Sequence, residues 1–196
     1  MSIGKTYSLI KIDDKELEDS LSKISVGFSL VLIEDRNKYL VITGKKDLFK
    51  SIKSNLKSSY SNNNQEFVEV YMFDLKTNKI TLLPGKGKIP KVSSFQKCIN
   101  INDFVFCYGG MNISQKGEIN TSNELNSFNL TTNEWFSKGY KDCFPNDRID
   151  FSFNKIIAFG LLYGGISMTK EQYHDELWIF NSKDQNWTFL ETTVNI

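Results

Sequence analysis

The chain has 196 residues, 40% of them hydrophobic and 13% aromatic, which is enough to build a sizeable core. Its 24 Lys and Arg balance 23 Asp and Glu to leave a net charge of +1, so no overall field recruits nucleic acid or an anionic membrane. Three cysteines without a C-x-x-C pair predict neither a disulfide framework nor a zinc site, and with no long apolar run or basic-apolar leader they fit a cytoplasmic protein.

In chain order, "KTYSLIKI" from Lys5 reads as a strand, and Asp13, Asp14, Glu16, Glu18 and Asp19 as a polar segment. Short apolar runs follow at "GFSLVLI" (27–33) and "KYLVITGK" (38–45). The Ser/Asn-rich stretch 50–65 reads as a polar loop. "VEVYMFDLKTNKI" (68–80) is a hairpin, and "GKGKIPK" (85–91) is a basic connection without the spacing of a phosphate loop. The pattern then recurs as "SSFQKCI", "DFVFCYGG" and "NELNSFNLTTNEW", and once more as "FSFNKII", "AFGLLYGG" and "DELWIFNSKDQNW". Ala158 is the single alanine, and scarce helix formers beside abundant aromatics favour strands.

Aligned on their aromatic residues, the last two copies are 180 − 128 = 52 positions apart, and the first lies 128 − 73 = 55 upstream. A unit of about fifty residues with four strands therefore occurs three times. Its strands are apolar on both phases, as expected when both faces of a sheet are covered. Small four-stranded sheets stacked face to face around an axis form a β-propeller, whose crowded inner strands tolerate glycine and whose widening wedges take large aromatics. The reading is all-β: about three four-stranded blades plus an extra N-terminal strand, in an incomplete ring. Residues 1–24 form the N-terminal strand and polar segment, 25–84 blade 1, 85–138 blade 2 and 139–196 blade 3.

Gly109-Gly110 and Gly164-Gly165, then Glu124 or Glu176 within Asn-Glu-Leu or Asp-Glu-Leu, then Phe128 or Phe180 and, seven positions later, Trp135 or Trp187, resemble the kelch repeat. The resemblance runs from about Gly27 to Phe189 and implies a kelch-type propeller, with the acidic residue, including Glu69 in the first copy, holding blade contacts. The first copy departs from the pattern at Lys45, in place of the second glycine, and at Ile80, in place of the Trp.

Complete kelch propellers usually have five to seven blades, and three cannot close a ring. An exposed apolar flank of ~300–600 Å² would forgo about 8–15 kcal/mol at ~25 cal/mol per Å², comparable to the stability of a whole domain. The expectation is a half-propeller completed by a second copy or by another chain, or one segment of a longer polypeptide, with no nucleic acid and no membrane insertion. The connections between blades and the loops between second and third strands are expected on one rim. Lys46, Lys50, Lys86, Lys88, Lys91, Lys141 and Arg148 would there form a basic partner-binding face, against the alternative of ordinary solvent-facing cations.

A non-catalytic interaction scaffold is the favoured reading, with no cofactor and no metal; the alternative is a sugar- or small-molecule-processing propeller, which the resemblance also admits. Copper sites of that family use more than one histidine, and this chain has only His174. His174 beside Asp175 reads as a surface or capping residue rather than a proton shuttle. Cys98 and Cys107 are expected as small buried apolar residues, and Cys143 lacks a basic neighbour to activate it. No dimerisation domain is expected ahead of the repeats, so ligase adaptation is not.

Overall fold

The computed structural model describes residues 27–33, 37–44, 67–91, 93–114, 118–139 and 143–191, which contain strands and turns and no helix. The expected N-terminal strand, the acidic segment, the Ser/Asn-rich loop, Lys45, Lys46, Lys50 and Lys141 lie outside the described residues.

The apolar runs form three sheets, each with four antiparallel strands whose sequence order is their spatial order, and the second sheet gains a fifth, parallel edge strand. Blade 1 comprises β1 (Ser29–Ile33), β2 (Lys38–Ile42), β3 (Val70–Asp74) and β4 (Lys79–Leu83). After β5 (Lys86–Gly87), blade 2 comprises β6 (Lys97–Ile101), β7 (Phe104–Tyr108), β10 (Leu125–Asn129) and β11 (Glu134–Lys138). Blade 3 comprises β12 (Ser152–Ile156), β13 (Phe159–Tyr163), β16 (Leu177–Asn181) and β17 (Asn186–Leu190). Two small hairpins fill the loops between second and third strands: β8 (Met111–Ile113) with β9 (Ile119–Thr121), and β14 (Ile166–Ser167) with β15 (Gln172–Tyr173).

The register repeats from blade to blade. Phe73 faces Ile80, Phe128 faces Trp135 and Phe180 faces Trp187 across their third and fourth strands. One kind of turn holds this register each time. The Asp74 carboxylate accepts the N–H groups of Lys76 and Thr77, the Asn129 side chain those of Thr131 and Thr132, and the Asn181 side chain that of Lys183. Each turn ends in a left-handed residue, Asn78, Asn133 or Gln185. The two backbone N–H groups, Thr77 first, together with Lys38, outweigh the opposing desolvation and hold the Asp74 carboxyl below its ordinary range.

Doubly apolar strands are explained by two separate cores, each lying between neighbouring blades. In the first, Val31, Leu40, Ile42 and Val70 of blade 1 meet Val105, Cys107, Phe128 and Trp135 of blade 2. In the second, Ile99, Phe106, Tyr108 and Leu125 of blade 2 meet Phe153, Trp178, Phe180 and Trp187 of blade 3. Thus the Phe and Trp of each later blade fill the wedge left by the blade before it. The innermost strands β1, β6 and β12 run side by side, and Gly160 permits the close approach: a Cβ there would meet Phe153 at 2.5 Å and Ile99 at 2.7 Å. The three blades form an open arc among the described residues.

Two expectations are corrected. Cys98 and Cys107 stand directly opposite on β6 and β7 and are joined by a disulfide, their Cα atoms 4.1 Å apart, instead of acting as separate apolar side chains. This removes the ground on which the cysteines pointed to a reducing compartment. The glycine alignment of blade 1 also shifts by one. Thr43 N–H donates to the Glu69 carbonyl as Gly109 donates to Glu124 and Gly164 to Glu176, so Thr43 takes the place of the first glycine and Gly44 that of the second.

Candidate functional site

The glycine pairs lie where a blade connection crosses a loop. Gly110 has a left-handed backbone (φ +95°), and a Cβ there would meet the Ser94 carbonyl at 2.8 Å. Its N–H donates to the Arg148 carbonyl at 3.0 Å, while Arg148 N–H donates to Ser122 at 3.1 Å, so the backbone of Arg148 is tied to blade 2. Its side chain is tied to blade 3. Nη1 donates to the Gly164 carbonyl at 2.9 Å, Nε to Asn146 at 2.9 Å, and Nη2 pairs with the Glu176 carboxylate at 3.1 Å.

Arg148 is thus fully buried and paired, which corrects its assignment as a rim cation: it clamps two blades and is unavailable to a partner's charge. Glu176 takes the blade-holding role implied for the acidic residue. Blade 2 differs, since Ser93 stands where Arg148 stands one repeat later, donating its hydroxyl to the Gly109 carbonyl at 3.2 Å, and Glu124 is exposed. In blade 1 the Glu69 carboxylate accepts the Tyr71 hydroxyl at 2.9 Å; burial first, then this carboxylate, pushes the Tyr71 phenol up to about 12. His174 is buried rather than exposed, its Nδ1 3.4 Å from the same Glu176 oxygen.

A second cluster, which sequence reading missed, joins the two small hairpins. The Asp147 carboxylate accepts hydroxyls from Thr121 of β9 and Ser167 of β14 and pairs with Lys170 at 3.2 Å. Thr169 adds a link by accepting the Thr121 N–H at 2.8 Å. Burial alone would push the Asp147 carboxyl up, but Ser167, Thr121 and Lys170 hold it below its ordinary range. The available signal was an acid directly beside Arg148 in the connection that enters blade 3, "CFPNDRID".

Of the remaining expected rim cations, Lys91 bridges to Phe67 in the loop between the second and third strands of blade 1 and is exposed. Lys86 and Lys88 are also exposed but lie along the outer edge of blade 2, where β5 runs parallel to β11 and bonds to Asn133 and Trp135. Gly87 serves this crossing, since a Cβ would meet the Trp135 carbonyl at 2.8 Å.

The outer flank of blade 3 carries Ile156, Phe159, Tyr163, Leu177 and Ile179 on one face, and Tyr163 is 53% exposed. On the opposite flank, blade 1 buries Val41 and Tyr71 but exposes Leu30, Leu32 and Leu82, with Phe28 exposed at its entrance. A groove of about 180 Å³ between the inner strands is lined by Leu30, Leu32, Cys98, Asn100, Phe153 and Lys155 among others. Among the described residues no group of three or more His, Cys, Asp or Glu side chains is placed to hold a metal ion, and no helix is long and apolar enough to cross a membrane.

Residues 27–196 match the family described as the KLHDC2/KLHL20/DRC7 kelch-repeats domain. Among solved structures, the chain described as "Structure of YjhT" is similar with a TM-score of 0.61 at 9% identity, a likeness of fold. That match covers 88% of this chain and 52% of the other, so the chain spans about half the length of the structure it matches.

Proposed function

The chain belongs to the kelch-repeat family, and on that premise we propose that it is a non-catalytic protein-interaction module whose open blade flanks are covered by another protein chain. The observation that carries this reading is the contrast between the two faces of blade 3. One is sealed against blade 2 by Phe153, Trp178, Phe180 and Trp187, while the other presents Ile156, Phe159 and Tyr163 to solvent. Burying a face of this kind is worth about 25 cal/mol per Å² of apolar surface, and a contiguous exposed patch marks a site of association. The buried His174, held against Glu176, cannot meet a substrate and argues against acid-base chemistry at the one histidine. Lys86, Lys88 and Lys91 are exposed and are assigned a secondary, electrostatic contact with the partner.

Native mass spectrometry of the protein from its natural source tests the reading. A species heavier than the 22.6 kDa chain is expected, with the blade 3 flank protected from hydrogen exchange. A folded species of 22.6 kDa with that flank unprotected overturns it.

A further inference from the structure

At four positions the exposed flank of blade 3 repeats the blade 2 face that is buried in the second core, while Asn154 and Leu161 take the places of Ile99 and Phe106. Ile156 stands where Ile101 stands one blade earlier, Phe159 for Phe104, Tyr163 for Tyr108 and Leu177 for Leu125, all in the same strand register. The polar groups repeat as well. Tyr108 donates its hydroxyl to the carbonyls of Pro145 and Asn146 in the connection that enters blade 3, and Gly110 N–H donates to Arg148 in that connection. Their counterparts, the Tyr163 hydroxyl and Gly165 N–H, have no partner among the described residues. Blade 3 is therefore shaped to receive the entering connection of a fourth blade.

Blade 1 has the features of a blade that enters in this way. Two residues before each inner strand lies a left-handed corner: Gly27 (φ 77°), Phe95 (φ 62°) and Asp150 (φ 52°). The residue after the third corner, Phe151, is buried with its ring edge-on to Tyr108 at 5.9 Å. The residue after the first is Phe28, which is 48% exposed. Tyr163 on one flank and Phe28 on the other thus correspond to the two halves of a contact already present inside the chain.

Resting on the proposed function above, we propose that the covering chain is a second copy of this protein. Blade 3 of each copy would receive blade 1 of the other, with Tyr163 against Phe28 of the partner at both junctions. The three described blades of one copy and the three of the other would close a six-bladed ring. The two junctions are related by a two-fold axis along the propeller, so the head-to-tail contact closes instead of growing into a filament.

The test uses the full chain in a Cys143→Ser background, because Cys143 is the exposed free cysteine among the described residues. Sedimentation is expected to give a dimer of 2 × 22.6 = 45.2 kDa. Tyr163→Asp should raise the dimer dissociation constant by at least about tenfold while the far-UV circular dichroism stays unchanged. Independently, the double variant Phe28→Cys, Tyr163→Cys treated with a short bismaleimide should form covalent dimers across both junctions, and each single variant should form none. A monomer with both flanks exposed overturns this inference together with the proposed function. Assembly only with a different protein overturns the second copy and leaves the proposed function standing. A dimer that gives no Phe28-to-Tyr163 cross-link overturns the head-to-tail arrangement.

Discussion

Phe180 and Trp187 face each other across β16 and β17 with ring centroids 5.0 Å apart, and Phe128 and Trp135 reproduce the contact at 5.0 Å in the blade before. Each pair also touches the preceding blade: Phe180 meets Phe106 edge-on at 4.9 Å and Trp187 meets Tyr108 at 5.1 Å. The repeat spacing therefore sets both the hairpin and the wedge that joins it to its neighbour. Trp187→Ala and Trp135→Ala should each cost about 3–5 kcal/mol in urea unfolding, the range for deleting a large buried aromatic. Ile80→Ala, at the same position in blade 1 but only half-buried, should cost clearly less. Equal losses at all three positions would mean that the wedge is not the source of the effect.

Arg148 carries the charge that joins blades 2 and 3, with its backbone bonded to one and its guanidinium to the other. Arg148→Ala leaves the Gly164 carbonyl and the Glu176 carboxylate without their donor, and breaking a buried pair in this way costs about 3–5 kcal/mol. Adding Glu176→Gln should restore part of that loss in a double-mutant cycle, since the uncompensated charge is removed. Strict additivity of the two substitutions would show that they do not interact.

The Cys98–Cys107 bond closes a short loop, with a sequence separation of 9. Constraint of the unfolded chain by a loop of this size is worth roughly 2.5–3 kcal/mol in the chain-entropy description. Reductant should therefore lower Tm, and Cys107→Ser should lower it without reductant and abolish the further response. A reductant-insensitive Tm in the unsubstituted protein would rule out the bond as a stabilising element.

The repeats could be read from the sequence because a fixed spacing survives without knowledge of the fold: Phe128 and Trp135 are separated by a turn whose length sets their pairing. Arg148 could not be read in this way. A lone cation in a loop normally solvates, and its partners are two backbone carbonyls and a carboxylate 28 residues later. The cysteine pair lay between these cases. A two-residue turn at Asn102 and Asp103, with Asn102 left-handed, pairs Ile101 with Phe104 and by counting back places Cys98 opposite Cys107. In blade 1 the bond from Thr43 to Glu69 fixes which residue replaces which glycine, and the weak motif alone does not.

Asp147 gives the fold a defined acid response. Its carboxyl sits below the ordinary value of 3.8: burial opposes ionisation, but the Ser167 and Thr121 hydroxyls and Lys170 outweigh it. A group whose folded pKa is depressed contributes stability that is fully present above its unfolded pKa and is lost as pH falls through its folded pKa. Asp147→Asn should therefore lower Tm at pH 7 by loosening the link between the β8–β9 and β14–β15 hairpins. The gap between the variant and the unsubstituted protein should narrow as the pH falls below about 4, because the native carboxylate is then progressively protonated and the two side chains become alike in charge. Thermal unfolding followed by tryptophan fluorescence from pH 7 to pH 3 measures that gap. A gap that stayed constant across this range would show that hydrogen-bond geometry, and not ionisation, accounts for the contribution of Asp147.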